Sequence, residues 1–371
     1  MRFFWILTLF FLFDGLIIAQ EYQFTPVINV ESTPVVNQGR TGTCWSFSTT
    51  SFLESEIIRI SGKHIDLSEM YNVRYTYPAK AYNYVMRQGS ARFGEGALAH
   101  DVINSVKAHG LVPYEVYPAL EPGQTGYDHA EMVAVLTSMV KTYADNPGKK
   151  LSDKWEDAFD AVLDVYMGKP ATQFTYEGKS YTPASFMTMT GIHPEDYVTL
   201  ASLTNHPYYS SFIMSIPDNF SNGSYYNVHL NELTDAIDNA LKMGYTIALD
   251  IDVSEPTFSG RQGVAVVPAD AANNKLAMTE IVPEKQVTPE NRQAEFLDMS
   301  TTDDHLMQIV GTMKDQKGNI YYKVKNSWGT AGLGNGGFVY ISQPYIKLKT
   351  ISILLHKDGL SKEMRNNLGI K

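Results

Sequence analysis

A single cysteine, Cys44, stands in 371 residues. It forbids an intrachain disulfide and leaves too few thiols for a cysteine-rich zinc site, so whatever Cys44 does, it does as a thiol or thiolate. Positive charge is also scarce: 30 Lys and Arg stand against 40 Asp and Glu, a formal net charge of -10 with the acidic excess spread along the chain. A surface that tracks phosphates is not expected, and neither is a nucleic-acid partner. Internal repeats and low-complexity runs are missing. What is there, 44% hydrophobic and 19% charged residues, suffices for one large core or two modest ones and excludes disorder as the dominant state.

One apolar run, 3–13, follows Met1-Arg2 and leads through Leu16-Ile17-Ile18 to the small residue Ala19. That pattern predicts a signal peptide over 1–19, cleaved near Ala19 or Gln20, and an exported protein, periplasmic or secreted, over 20–371. Asp14 interrupts the run and leaves it short for a membrane span. Anchoring through 3–19 is the alternative; after cleavage no stable membrane association is expected.

Three blocks follow. In the first, 24–120, the stretch 34–43 is turn chemistry, while 44–60 contains no Pro or Gly and is rich in apolar bulk, which predicts a helix ended by Ser61-Gly62. Cys44 then stands at a helix N-terminus. The second block, about 121–228, holds polar helical stretches over 130–144 and 153–166 and a turn-rich, aromatic segment with nothing catalytic in it. The third opens with an amphipathic helix over 230–243 and continues as strands over 245–253, 305–313, 320–325, 337–342 and 350–355.

A lone buried cysteine is most often an inert small hydrophobe. Position argues otherwise: a thiol of pKa about 8.5 is mostly protonated at neutral pH, whereas a helix N-terminus and a neighbouring imidazolium can lower that pKa to about 3–4. Among nine histidines, His305 has the best surroundings. With the hairpin turn centred on Gln316-Lys317, His305 faces Trp328 and Asn326 falls on the same face. An amide there can orient the imidazole, and an indole can shield it from water. The competing reading is an ordinary hairpin in which Asn326-Ser327 begins a turn. His64, His100, His109, His129, His193, His206, His229 and His356 read as surface or packing residues, and Asp303-Asp304 as solvated charge. Gln38, six residues before Cys44, can join the Cys44 backbone N–H as an oxyanion hole, although a solvent-exposed loop Gln is the default for such a residue alone.

These residues resemble the papain-like cysteine peptidases, within them the bleomycin hydrolase and aminopeptidase C branch. The segment 37–48 (NQGRTGTCWSFS), followed by Leu67-Ser68-Glu69, is similar to the family's nucleophile region, and His305 and Lys325-Asn326-Ser327-Trp328-Gly329 are similar to its two later signatures. The resemblance implies an α+β, papain-like two-lobe fold: a helical lobe, an antiparallel β lobe, and a family-specific helical insertion at about 121–228. It implies Cys44 as nucleophile, His305 as base and acid, Asn326 as orienting residue and Gln38 as oxyanion donor. Gly96 and Trp328 become substrate-binding residues, although Glu95 departs from the glycine pair expected beside Gly96. No metal or organic cofactor is implied, the partners are peptide substrates, and a homo-oligomer, a hexamer, is implied by the branch.

The branch follows from departures. His305 lies 261 residues after Cys44, against about 130–150 in the smaller papains. Branch members restrict themselves to aminopeptidase action through a C-terminal arm whose carboxylate meets the substrate amine. Here 45 residues follow Asn326, which suggests a short or missing arm. The resemblance therefore implies an aminopeptidase, with two alternatives: an exported endopeptidase with an open cleft, or a catalytically silent binding protein on the same scaffold.

Overall fold

Where the turn residues stop, a helix starts. In the computed structural model, which describes residues 21–120, 123–146, 148 and 150–371, Cys44–Ser61 is an α-helix of 18 residues. Gly62 ends it at a φ of 68°, with its N–H on Ile58 O at 2.7 Å, a left-handed cap that glycine adopts without a Cβ clash. The helix is buried at every position from Cys44 to Ile58, which is why its sequence carries no single apolar stripe. It packs on helices Glu69–Met86 and Ala99–His109 and on strands His305–Lys314 and Ile247–Ile251. The expected signal segment lies outside the described residues; among those described, no helix is long and apolar enough to cross a membrane.

The helical layer is larger than the sequence reading anticipates. Glu69–Met86 starts on Ser68, whose hydroxyl accepts from Tyr71 N at 3.0 Å, and it runs through Pro78. An internal proline and burial on most faces hide it from periodicity. Ala130–Asp145 and Trp155–Met167 form where expected, and Arg74 ties the second of them to Glu69–Met86 through Asp160 at 3.0 Å and Asp164 at 2.8 Å. The stretch 121–228 is not helical throughout, however: Tyr197–Ala201, Ser211–Ile213 and Ser224–Asn227 are strands of the main sheet. They are too short for alternation to be read from sequence.

That sheet has eleven strands. Its centre runs Tyr197–Ala201, Thr350–His356, Ile247–Ile251, His305–Lys314, Ile320–Lys325 and Phe338–Ser342, each antiparallel to the next. The amphipathic helix Leu230–Lys242 buries Leu233, Ile237 and Leu241 in one core with Leu249, Met307 and Ile309. A second core unites the helices, Phe52 and Leu53 among its members.

Two deviations in the central hairpin compensate each other. Its turn is longer than expected, closed by Asp315 N on Asn319 O at 3.1 Å, so Lys314 pairs with Ile320 and Gly311 with Lys323. An irregularity between Ile309 and Gly311 then shifts the register, and Gln308 pairs with Lys325. Beyond it the alignment is the one expected from sequence, which is why His305 still meets Asn326 and Trp328.

The helical layer and the sheet are joined by buried polar groups. Gln308, fully buried, accepts from Ser51 Oγ at 2.7 Å and donates to Ser55 Oγ at 2.8 Å and Thr246 Oγ1 at 3.0 Å. Lys325 Nζ donates to Ser51 Oγ at 2.6 Å and Thr33 Oγ1 at 2.9 Å, and Thr33 in turn donates to Glu54 at 2.5 Å. Burial pushes Glu54 up to about 7 and Lys325 down to about 8. Gln308→Leu should lower unfolding stability by about 1–3 kcal/mol, because it strands the Ser55 and Thr246 hydroxyls without their partner. Urea denaturation measures this, and an unchanged midpoint would show that the network does not hold the layers together.

Candidate active site

The loop before Cys44 is held by the segment after strand Ile320–Lys325. Gln38 N donates to Ser327 O at 2.8 Å, Gly329 N to Val36 O at 3.0 Å, and Asn37 bridges Trp328. Side chains repeat the link: Ser327 Oγ donates to Gln38 Oε1 at 2.6 Å, and Gln38 Nε2 donates to Thr41 O at 2.7 Å. Gln38 is therefore a buried, oriented amide and not a solvated loop residue, and its second amide proton remains for the cleft.

Asn326 fixes the histidine. Its Oδ1 accepts from Ser327 N at 2.7 Å and lies 2.8 Å from His305 Nε2. A backbone N–H can only donate, so the shared atom is the carbonyl oxygen and the ring nitrogen facing it carries the proton. His305 Nδ1 is left with its lone pair. The Trp328 ring stacks on the imidazole, centroids 4.8 Å apart at 29°, and remains 38% exposed.

Cys44 opens its helix beside this histidine. Its sulfur lies within hydrogen-bonding reach of the backbone N–H groups of Leu306 and Trp45, and Leu306 directly follows His305. Cys44, His305, Gln38 and Gly96 all line one cleft of about 1160 Å³. Every residue singled out from sequence thus comes to this cleft or, for Asn326 and Trp328, to the histidine in it.

The electrostatics differ from the sequence expectation of a lowered thiol. Burial pushes Cys44 up to about 12, and the same loss of water holds His305 down at about 4. Each shift alone favours the neutral form. A proton passed from thiol to imidazole leaves opposite charges side by side, so the ion pair is reached only as a pair.

Three features of the cleft were not legible in the sequence. Glu95 accepts from Gly42 N at 2.6 Å while its backbone O accepts from Trp45 Nε1 at 2.9 Å, so the residue that departs from the expected glycine pair grips the loop on both sides of Cys44. Ser327 holds Gln38, as above. Asp303 corrects the reading of Asp303-Asp304 as solvated charge: both line the cleft, but Asp304 is exposed while Asp303 turns its carboxyl to buried Asp250. The cause is the pairing of His305–Lys314 with Ile247–Ile251, and Thr302 N, on Asp252 Oδ2 at 2.7 Å, carries the chain across the end of that strand. His129, by contrast, is packed between Tyr77 and Tyr127, as expected of a packing histidine.

Comparison with known proteins gives the same picture. The family model described as Peptidase C1-like family matches residues 94–370, and that of the papain family cysteine proteases matches 26–137. Aminopeptidase G of Lactobacillus delbrueckii subsp. lactis is 24% identical over 90% of this chain and 83% of its own length. Aminopeptidase C of Listeria monocytogenes is 24% identical over 90% and 82%, and the mitochondrial cysteine proteinase 1 of Saccharomyces cerevisiae is 22% identical over 92% and 78%. The crystal structure of pepw from Lactobacillus rhamnosis superposes with a TM-score of 0.74 at 17% identity, covering 93% of this chain and 84% of that one. The fold is papain-like.

The opposed shifts of Cys44 and His305 predict how the thiol reacts. Wild-type Cys44 should be alkylated by iodoacetamide near neutral pH. In His305→Ala the thiol keeps its proton toward pH 12, so alkylation should be at least about 100-fold slower at pH 7 and rise about tenfold per pH unit through pH 9. Stopped-time alkylation followed by mass spectrometry measures both, and equal rates would sink the pairing.

Proposed function

Since the chain belongs to the Peptidase C1-like family and is a papain-type cysteine peptidase, we propose that it acts as an aminopeptidase, with Cys44 as nucleophile, His305 as base and acid, Asn326 as the residue that orients it and Gln38 as oxyanion donor. The observation that carries these roles is the Asn326 Oδ1 bond to His305 Nε2, which leaves Nδ1 free to take a proton in the cleft that Cys44 lines. In this reading Cys44 Sγ attacks the amide carbonyl as His305 Nδ1 takes the thiol proton. The oxyanion meets the Cys44 N–H and Gln38 Nε2. As the C–N bond breaks, His305 returns the proton to the leaving amine, and a thioester remains. Water, losing a proton to His305, attacks the thioester and frees the acid and the thiol. Gly96 and Trp328 contact the substrate, from the cleft wall and from above the imidazole.

Aminopeptidase action is supported by the names of the two bacterial relatives. One observation favours the second reading, an endopeptidase with an open cleft: the last helix, Lys362–Leu368, buries Met364 and Leu368 in the sheet-side core, and none of the residues lining the cleft lies beyond Leu306. Export and a homo-oligomeric state, a hexamer by resemblance, belong to the proposal too.

Hydrolysis of matched fluorogenic amides with free and acetylated amino termini separates the two readings. Cleavage of the free-amine series alone supports the aminopeptidase, and cleavage of the acetylated series supports the endopeptidase. Cys44→Ala should abolish both, and Gln38→Ala should lower kcat by about 10²–10³; wild-type rates in Cys44→Ala would end the mechanism. For export, intact mass of chain recovered outside the expressing cell should lack about the first 19 residues, and gel filtration of that material should elute above the mass of one processed protomer; a retained Met1 or a monomer removes the corresponding proposal.

A further inference from the structure

One end of the cleft is built of carboxyl groups. Asp218 lies against Gly96 so closely that a Cβ there would overlap its carboxylate, and Asp303 lines the same wall as His305. Behind Asp303 stands Asp250, 2% exposed, whose carboxyl faces that of Asp303. Ser352 Oγ reaches Asp250 Oδ2 at 3.3 Å, but Asp250 Oδ1 and Asp303 Oδ2 are buried and neither has a donor among the described residues. Tyr225, its ring fully buried near both, likewise leaves its hydroxyl without a partner.

The cations nearby do not complete this arrangement. Lys80, 1% exposed, is committed to the backbone O of Gly96. Arg92 reaches Asp218 at 3.6 Å with its side chain 60% exposed. Neither bonds the Asp303–Asp250 pair. Two buried carboxyl groups turned on each other hold either a shared proton or a cation between or in front of them. No set of three or more His, Cys, Asp or Glu side chains among the described residues converges as metal ligands, which favours an organic cation. Asp303 lines the cleft, so a cation in the cleft can meet the pair there.

We propose that Asp303, backed by Asp250, and Asp218 form a subsite for a cationic group of the peptide substrate on the acyl side of the scissile bond. The acyl side is assigned together with the subsite: in the peptidase reading the leaving amine stays with His305, and Asp218 lies against Gly96, which that reading assigns to the substrate. The group recognised is an ammonium or guanidinium, either the substrate's free α-amine or a Lys or Arg side chain. No residue beyond Leu306 is among those lining the cleft, and of its other carboxyl groups Glu95 already accepts from Gly42 N and Asp304 from Thr302 Oγ1, so Asp303 and, beside exposed Arg92, Asp218 are the carboxylates left for an amine. The inference rests on the peptidase reading above.

Two substrate arms name the source of the cation. Arm one compares free and acetylated leucyl fluorogenic amides; arm two compares blocked dipeptidyl amides that differ only by Arg or Leu in the residue before the one cleaved. Wild-type full-length protein should prefer the cationic member of at least one arm by about 30-fold or more in kcat/KM, and that ratio should collapse toward one in Asp303→Asn and in Asp218→Asn. A preference in arm one assigns the α-amine and in arm two the side chain. Should either variant fail to fold, the other decides by the same ratio. Hydrolysis of all four substrates without preference, or a preference that survives substitution, overturns the subsite and leaves the peptidase standing. A wild-type chain that hydrolyses none overturns both.

Discussion

The carbonyl oxygen of Asn326 takes two donors at once, the Ser327 N–H and the His305 Nε2–H, and the chemistry of the cleft depends on that double acceptance. Loss of either donor would let the amide turn and the imidazole choose its tautomer freely. The Ser327 N–H is fixed because the same residue binds Gln38 through its backbone O and its hydroxyl. One dipeptide therefore holds the Asn326 amide against the histidine on one side and the Gln38 amide on the other. Neither could shift without moving its counterpart.

That alignment is inherited from the sheet. His305 stands at the start of a strand that pairs along its first half with Ile247–Ile251, His305 opposite Ile251, and further along with Ile320–Lys325 and Thr25–Asn29. A register error of one residue would turn His305 to the opposite face. The longer turn at Asp315–Asn319 introduces such an error, and the irregularity between Ile309 and Gly311 removes it. Gln308, just on the corrected side, then bonds the Cys44 helix through Ser51 and Ser55. Thiol and imidazole are thus set against each other by a buried polar contact one helical turn or more away from either.

Much of this was legible because it rests on local chemistry. Turn residues up to Thr43 and a helix start at Cys44, the punctuation by Gly62, the strand over 320–325 and the pairing of His305 with Asn326 all follow from residue type and spacing. What escaped the sequence depends on contacts between distant segments. Pro78 and all-round burial conceal the helix Glu69–Met86. The strands after Tyr197 are short and gain their meaning only beside Thr350–His356. Asp303 looks like half of a solvated pair until the end of strand Ile247–Ile251 puts Asp250 behind it. Glu95 has no motif at all; its function is visible only where its carboxylate meets Gly42 N.

Burial explains why the cleft separates its charges. Around Cys44 and His305 the loss of water penalises both ions, the thiol going up and the imidazole down, so each group alone favours its neutral form. The fixed polarity comes from the scaffold instead. In the proposed reading the helix N-terminus and the Gln38 amide are the donors for the negative charge that develops on a carbonyl, and Asp218 and Asp303 line the same cleft. Burial of Asp250 and Asp303 costs folding free energy wherever their oxygens lack donors. A proton shared between the two carboxyl groups, or a cation in front of them, relieves that cost.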